Sequence, residues 1–377
     1  MTTSVENTRD AAGSRTAGLF RPFSYQGLTL GNRIVMAPMT RGKSPGGIPG
    51  SDVAAYYRRR AEGGVGLIMS EGTYIPHAGA GFYPDVPHFY GEEALAGWQR
   101  VVQEVHAAGG KMFPQLWHVG LSAPPGVTMG DAAVGPSGLI GTGEQVREPM
   151  TQQEIDEVIR AYGKASASAE RLGFDGLEIH GAHGYLIDQF FSDATNQRND
   201  RYGGDLLRRT RFAVEVIEEI RRNVSRDFPV CLRFSQWKLH DYTARLARTP
   251  QELESFLEPL VAAGADLFHC SQRRFWEPAF EGSRLNLAGW TKKLSGKPSI
   301  AVGSVTLDQE FTSSFSKPDQ AAVTGIDALL EALERGEFDL IAVGRSLIVN
   351  PEWPAIVRRG SLEELQPFQR DVLQQLL

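Results

Sequence analysis

The sequence is poor in cysteine, in net positive charge and in long apolar runs, and each absence excludes a class of protein. Cys231 and Cys270 are the only cysteines among 377 residues, too few for a disulfide scaffold or for four-thiolate ligation of zinc or an iron–sulfur cluster. Lys and Arg number 39 against 45 Asp and Glu, and the net charge of −6 gives no general attraction to nucleic acid or anionic membranes. No apolar run approaches the length of a membrane-spanning helix, and no secretory signal opens the chain. We therefore expect a cytoplasmic protein without nucleic-acid or membrane partners.

Short apolar runs alternate with longer amphipathic segments along most of the chain. The runs span residues 33–38, 66–72, 111–117, 176–182, 228–235, 266–272, 299–304 and 339–346. Their near-continuous apolarity is typical of parallel strands that are buried on both faces. Eight strand–helix units predict an α/β fold, a (β/α)8 TIM barrel, although a doubly wound open sheet would show the same alternation. We expect one domain over residues 18–360, with a flexible tail at 1–17 and a helical extension at 361–377.

Two of the intervening segments carry explicit helix boundaries. Thr151 and Glu154 form a capping-box pattern before apolar residues at helical spacing. Thr249 and Pro250 open another helix, for which Gly264 is the expected stop. The connections at 118–150 and 184–205 are long, and we expect both to lie over the C-terminal face of the barrel.

Distinctive residues fall at the C-terminal ends of the predicted strands, where barrel enzymes place their active sites. They are Thr40, Arg41, Glu71, Gln115, Trp117, His180, His183, Arg233 and His269. The last two strands end in Gly303–Ser304 and Gly344–Arg345, which offer backbone N–H groups and an arginine to a phosphate. The alternative is that these glycines only permit tight turns. His269 and Cys270 are expected in the barrel interior.

Several blocks of the sequence together resemble the old yellow enzyme family of FMN-dependent ene-reductases. The blocks are RIVMAPMTR (33–41), SEGTYI (70–75), QLWHVG (115–120), EIHGAHGYLIDQFFSDATNQRNDRYGG (178–204), the arginine of CLRFS (231–235) and LIAVGRSLIVNPEWP (340–354). They occur in order between residues 18 and 360, and the block after strand 4 is the most specific. The resemblance implies an FMN-filled (β/α)8 barrel that takes hydride from NADPH or NADH and delivers it to an electron-poor alkene.

The resemblance also implies which residues contact the flavin. The implied FMN contacts are Pro38, Met39, Thr40, Gly72, Gln115, His180, Arg233, Gly303, Ser304, Gly344 and Arg345. Gln115 would bind the pyrimidine ring, and Arg233 would stand by N1 and O2, where a cation stabilises the anionic reduced flavin. Gly72 would let the ring approach the backbone. The two glycine-containing strand ends would hold the phosphate.

For catalysis, the resemblance implies that His180 and His183 donate hydrogen bonds to the substrate carbonyl and that Tyr185 supplies a proton. Hydride addition at the β-carbon of an enone builds negative charge on its oxygen, which two donors stabilise. A tyrosine keeps its proton at neutral pH and can protonate the α-carbon. The implied substrate pocket comprises Trp117, His183, Tyr185, Arg273 and Trp276.

Other hypotheses stay open at this stage. His180 and His183 beside Glu178 could bind a metal, but no further cluster of histidines or carboxylates is evident and we expect none. The chain could bind flavin without turnover, or it could be a phosphate-binding isomerase or aldolase with Glu71 as the base. We expect the protein to be a monomer or a homodimer. We expect its binding partner to be a small-molecule alkene.

Overall fold

The computed structural model describes residues 15–123, 126–310 and 321–377. Its strands are β1 Phe23–Tyr25, β2 Leu28–Leu30, β3 Ile34–Met36, β4 Leu67–Tyr74, β5 Lys111–Trp117, β6 Leu177–His180, β7 Val230–Ser235, β8 Leu267–Ser271, β9 Ser299–Val302 and β10 Leu340–Val343. Strands β3 to β10 are parallel and form a closed barrel in which β10 pairs with β3. Each barrel strand overlaps one of the apolar runs, so the (β/α)8 barrel is confirmed and the open sheet is excluded.

Helices connect the strands around the outside of the barrel. They are α1 Ser51–Glu62, α2 Glu92–Ala107, α3 Gln152–Arg171, α4 Leu186–Phe191, α5 Leu206–Arg209, α6 Arg211–Asn223, α7 Pro250–Ala263, α8 Leu287–Ser295, α9 Asp327–Glu334, α10 Arg345–Val349 and α11 Trp353–Arg358. The capping box of Thr151 and Glu154 opens α3, and α7 begins after Thr249 and ends at Gly264 in the left-handed conformation. These helix boundaries are confirmed. Every helix in the described part of the chain is too short or too polar to cross a bilayer.

A hairpin that the sequence did not indicate closes the bottom of the barrel. Strands β1 and β2 pair antiparallel, and Phe23, Leu28 and Leu30 join one apolar cluster with Leu67 and Leu340, the first residues of two barrel strands. Burial of these side chains seals the end of the barrel opposite the strand C-termini. Any site must therefore open at the C-terminal face.

The strands alternate between an interior face and a face toward the helices. His269 points into the barrel, where it contacts Glu178. Cys270, the next residue, belongs to the core between strands and helices. The expectation that both residues lie in the interior is therefore wrong for Cys270, because side chains alternate along a strand.

The described residues that flank the barrel in sequence contact it on both sides. Most of the predicted tail, 1–17, lies outside the described residues; at its described end Thr16 is buried and Arg15 pairs with Asp327. Residues 361–377 contain two short 3₁₀-helices, Leu362–Glu364 and Arg370–Gln374, rather than a longer α-helix. The guanidinium of Arg41 donates to the backbone oxygens of residues 373 and 375, at 3.4 and 2.6 Å, which ties this segment to the loop after β3.

Candidate active site

A cavity of about 320 Å³ opens at the C-terminal ends of the barrel strands, within the usual range of small-molecule sites. The predicted site residues that line it are Pro38, Met39, Thr40, Gln115, Trp117, His180, His183, Tyr185, Arg233, Arg273, Gly303, Ser304, Gly344 and Arg345. The fold thus brings together residues that are widely separated in sequence. Gly72 and Trp276 are not part of the lining.

Gly72 and Trp276 lie elsewhere for different reasons. A β-carbon on Gly72 would stand 2.5 Å from the Trp117 ring, so this glycine makes room for the tryptophan. Trp276 is 44% exposed, and its ring contacts Phe275 edge-on at 5.0 Å. Trp276 therefore does not line the pocket as expected from the sequence, and the contact of Gly72 with the flavin stays a prediction.

A buried polar cluster on β5 to β8 lies beneath the cavity; we call it the floor and define it as Gln115, Glu178, Arg233 and His269, of which Gln115 and Arg233 line the cavity. The Glu178 carboxylate accepts hydrogen bonds from Gln115 Nε2 and His269 Nδ1, each at 2.7 Å. Gln115 is in register with Glu178, and Arg233 with His269, so the paired side chains point to the same face of the sheet. Barrel register therefore fixes the floor.

The floor carries one negative and one positive charge. Burial raises the pKa of Glu178, but His269, Arg233 and Gln115 outweigh it and hold that pKa below its ordinary value. Burial lowers the pKa of His269, so the imidazole is neutral at pH 7. Its proton is on Nδ1, because a carboxylate only accepts. Burial also lowers the pKa of Arg233, which nevertheless stays charged.

The floor contains polar atoms that the described residues do not satisfy. Arg233 Nε and His269 Nε2 are both buried without a hydrogen-bond partner in the described part of the chain. Buried polar atoms in folded proteins are rarely left unpaired. Of the two residues, Arg233 lines the cavity, and the edge of a flavin pyrimidine ring carries carbonyl oxygens that can accept its Nε–H. The residues present therefore fit FMN.

The opposite wall of the cavity is formed by the loops after β9 and β10. Gly303 has a φ of 136°, and a β-carbon there would stand 2.6 Å from the carbonyl oxygen of Gln272, so the position requires glycine. Ser304 Oγ lies 3.0 Å from the backbone oxygens of Arg273 and Gln309. The Arg345 guanidinium donates to the backbone oxygens of 309–310 at 2.5 and 3.2 Å. These bonds hold its charge at the cavity wall, where a phosphate can use it.

The rim of the cavity, defined as Trp117, His180, His183, Tyr185 and Trp237, is a cluster of aromatic rings. The Tyr185 ring lies 4.9 Å, centroid to centroid, from both Trp117 and His180. The two imidazoles are 5.2 Å apart, and His183 stacks on Trp237 at 4.5 Å. The three predicted catalytic residues therefore share one wall.

His180 is arranged as a neutral hydrogen-bond donor. Burial lowers its pKa well below the ordinary value, and the charge of Arg233 adds to the effect. The backbone N–H of Ala182 donates to His180 Nδ1 at 3.4 Å, so the ring proton is on Nε2. This N–H is the group that a substrate oxygen can use.

His183 has two serine partners that the sequence analysis missed. Its backbone is left-handed, with a φ of 67°, and its N–H donates to Ser235 Oγ at 3.1 Å. Its Nε2 lies 2.7 Å from Ser271 Oγ. Burial, followed by the charge of Arg233, lowers the pKa of His183 well below its ordinary value. Ser235 and Ser271 are the last residues of the neighbouring strands β7 and β8. Their polar side chains at strand ends could have indicated from the sequence that they belong to the site.

Tyr185 is held at the rim by a buried ion pair. Asp188 accepts the N–H of Gly184 at 2.6 Å and forms an ion pair with Lys238, and both charged side chains are almost completely buried. This pair links the loop after β6 to the loop after β7. Burial raises the pKa of Tyr185 well above its ordinary value, so the phenol keeps its proton at neutral pH.

Glu71, the base required by the isomerase and aldolase hypotheses, does not line the cavity. Its buried carboxylate accepts the backbone N–H groups of Arg41 and Gly42, each at 2.9 Å. Burial raises the pKa of Glu71 to about 7. Glu71 therefore anchors the loop after β3 instead of facing a ligand.

Two hydrophobic residues of the C-terminal segment, Phe368 and Leu373, also line the cavity. Sequence analysis missed both, because no local pattern links residues beyond 360 to the barrel mouth. Within the described residues, no group of three or more His, Cys, Asp or Glu side chains is arranged to hold a metal ion.

Residues 18–364 match the model of the NADH:flavin oxidoreductase / NADH oxidase family. The chain is 34% identical over 367 residues to 12-oxophytodienoate reductase 7 of Oryza sativa subsp. japonica, with 91% of this chain and 88% of the reductase covered. It is 35% identical to an NADH oxidase of Thermoanaerobacter brockii over 92% of this chain, but it spans only 52% of that protein.

Solved structures give the same result. Morphinone reductase in complex with tetrahydroNAD matches with a TM-score of 0.77 at 28% identity, with 94% of each chain covered. The old yellow enzyme homologue from Zymomonas mobilis matches with a TM-score of 0.76 at 27% identity, over 94% of this chain and 96% of that one. The chain therefore belongs to the NADH:flavin oxidoreductase / NADH oxidase family, as an FMN-dependent NAD(P)H oxidoreductase of the old yellow enzyme type.

Proposed function

We propose that this oxidoreductase reduces the C=C bond of α,β-unsaturated carbonyl compounds or nitroalkenes with NAD(P)H in a ping-pong reaction. The main support for the proposal is that two neutral imidazoles and one protonated phenol line the same cavity. The rings of His180, His183 and Tyr185 lie 4.9 to 6.5 Å from one another. A protein that only bound flavin would need no proton donor at this position.

Bound FMN would supply the hydride chemistry, taking a hydride from NADPH or NADH and delivering it from N5 to the β-carbon of the alkene. Gln115 and Arg233 would hold the pyrimidine ring, with Arg233 placed to oppose the negative charge that reduction adds. Residues 38–40 would line the ring system. The loops after β9 and β10, with Arg345, would hold the phosphate.

The histidines would bind the oxygen of the substrate. His180 donates through Nε2–H, and His183 would exchange its hydrogen bond with Ser271 for one to the substrate oxygen. Because hydride addition builds negative charge on that oxygen, each donor is more effective in the transition state than in the ground state. Neutral imidazoles suit this role, since they donate without needing a proton from solvent.

Tyr185 would protonate the α-carbon. Its raised pKa keeps the proton on the phenol throughout the working pH range, so the phenol is always available as an acid. Loss of that proton leaves a buried phenoxide, and the positive charge of Arg233 acts to lower the pKa of Tyr185 and so stabilises this anion. The phenol would then regain a proton from solvent.

Product analysis tests the proposal. We expect the enzyme with NADPH to convert 2-cyclohexenone to cyclohexanone, and expect NADPH deuterated at the transferred position to label the β-carbon. In D₂O the label should enter at the α-carbon. Parallel assays with NADH give the preferred donor from the ratio of kcat/KM values. Failure to form product from an enone, a maleimide and a nitroalkene, with FMN bound, would contradict the proposal.

A further inference from the structure

Glu178 has no part in the reaction proposed above, yet its fully buried carboxylate belongs to the floor that would hold the flavin. Three donors from neighbouring strands surround it: Gln115 Nε2 at 2.7 Å, His269 Nδ1 at 2.7 Å and Cys231 Sγ at 3.7 Å. A buried carboxylate is costly unless its oxygens accept hydrogen bonds and its charge is offset. The hydrogen bonds are supplied here by Gln115, His269 and Cys231.

The carboxylate dictates which way the Gln115 amide faces. An ionised carboxylate only accepts, so Gln115 must present its NH₂ group to Glu178. The amide oxygen Oε1, to which no described residue donates, is then left for the cavity that Gln115 lines. The reverse orientation would bring two acceptors together. Glu178 therefore fixes an acceptor toward any ring N–H that enters the cavity.

The carboxylate also offsets the charge of Arg233. Glu178 is in register with Cys231 on β7, and Arg233 follows two residues later on the same face of that strand. Within the described residues the two groups form no direct ion pair, but their buried charges act on each other. Charges interact strongly where water is excluded. Reduction adds negative charge to a flavin, so Arg233 favours the reduced form and Glu178 opposes that preference.

We propose that Glu178 is a positioning residue for the flavin: it orients the Gln115 amide and offsets the charge of Arg233, and thereby sets how much more tightly the site holds reduced than oxidised FMN. This inference rests on FMN binding and does not depend on which alkene is reduced. Glu178 acts through its neighbours rather than on the reacting atoms.

The variant Glu178→Gln tests the proposal without an activity assay. The midpoint potential of bound FMN is compared with that of free FMN, and the Kd of oxidised FMN is measured by titration of the apoprotein. By thermodynamic linkage, the difference between the potentials of bound and free FMN gives the ratio of the affinities for reduced and oxidised FMN. We expect this ratio to rise about tenfold or more, because one opposing buried charge is gone. Oxidised FMN should bind more weakly, because the Gln115 amide is free to turn.

Two further variants separate charge from packing. Glu178→Asp keeps the charge but shortens the side chain, so FMN affinity should fall while the affinity ratio stays close to that of the wild type. Cys270→Ala removes a thiol from the helix-facing side of β8, outside the floor, and should change neither quantity. An unchanged ratio in folded Glu178→Gln, or an equal rise in Glu178→Asp, would overturn the proposal.

If Glu178→Gln does not fold, a variant that is expected to change the affinity ratio in the opposite direction tests the proposal. His269→Phe removes one donor from the carboxylate and leaves its negative charge less compensated, so the affinity ratio should fall. A rise or no change would overturn the proposal. Failure of the alkene-reduction proposal is distinguishable, since an enzyme that binds FMN but forms no product still allows each ratio to be measured.

Discussion

The floor and the rim of the cavity differ in what holds their side chains. The floor residues stand on barrel strands, and Glu178 hydrogen-bonds its neighbours Gln115 and His269. At the rim, His183 and Tyr185 stand on the loop after β6, where His183 adopts a left-handed backbone conformation. The partners of His183 come from the ends of β7 and β8 and from the loop after β7.

This difference separates two tasks. The strand-borne floor presents charges and hydrogen-bonding atoms in a geometry set by barrel register, which suits a cofactor that stays bound. The loop after β6 presents hydrogen-bond donors. A donor such as His183 can exchange its hydrogen bond with Ser271 for one to a substrate oxygen. We therefore expect floor variants to alter FMN binding and both half-reactions, and variants of the loop residues His183 and Tyr185 to alter only the reaction with the alkene.

The largest expected effect is at the floor. Arg233→Gln removes the buried cation and leaves the Glu178 charge without compensation, which should weaken FMN binding by about 4 kcal/mol, or roughly 1000-fold. Fluorescence titration of the apoprotein measures this Kd. Arg273→Gln is the matched control at the cavity mouth, where the guanidinium packs on Tyr242, and it should leave the FMN Kd unchanged. Equal losses of FMN affinity in Arg233→Gln and Arg273→Gln would contradict a special role of the floor in binding FMN.

A second buried carboxylate, Glu71, differs from Glu178 in the direction in which its pKa is shifted. Glu71 has hydrogen bonds from backbone amides, and its pKa is raised to about 7 from an ordinary 4.5. A raised folded-state pKa means that stability is full below pH 4.5 and is lost as the pH rises through 7. The loss should be about 3 kcal/mol between pH 4.5 and pH 8.

Denaturant unfolding of wild type and Glu71→Gln at pH 5 and pH 8 measures this contribution. The wild type should lose more unfolding free energy than the variant over this interval, because the glutamine does not titrate. Parallel pH dependences in the two proteins would show that Glu71 does not titrate as a buried acid.

At the rim, Tyr185→Phe should slow reoxidation of the reduced enzyme by an enone about 100-fold, because the proton donor is lost. Reduction by NADPH should keep its wild-type rate, since no step of that half-reaction uses the phenol. Stopped-flow absorbance separates the two rates. Tyr242→Phe, which keeps the ring stacked on Trp237 at 4.8 Å, is the control. An equal slowing of both half-reactions by Tyr185→Phe would remove it from the proton-donor role.

The smallest effect concerns Ser271. Ser271→Ala removes the hydroxyl 2.7 Å from His183 Nε2, so the imidazole loses the contact that orients it. We expect kcat/KM for the enone to fall about threefold, with the absorbance spectrum and Kd of FMN unchanged. A change in FMN binding would instead connect Ser271 to the floor.

Sequence reasoning predicted the barrel because buried parallel strands leave near-continuous apolar runs. It missed the hairpin of β1 and β2, since two strands of three residues each are too short to show a period. It found the residues at strand ends, including Gln115, His180 and Arg233. Contacts within the floor were not predictable, because Glu178 and His269 lie far apart in sequence and meet only across the closed barrel.

Loop residues were the weakest part of the prediction. Trp276 follows a strand end and was expected in the pocket, but its loop turns the ring toward solvent. Phe368 and Leu373 line the cavity although they follow the barrel in sequence. Position after a strand predicts the face of the barrel on which a residue lies, whereas the direction of a loop side chain depends on tertiary contacts.

The most direct test of the division between floor and rim is an absorbance spectrum of the purified enzyme, recorded without oxygen through addition of NADPH and then 2-cyclohexenone. We predict a flavin spectrum that bleaches with NADPH and returns with the enone. A spectrum that bleaches but does not return would contradict the role of the rim. A protein that holds no flavin, even after FMN is added, would contradict the role of the floor.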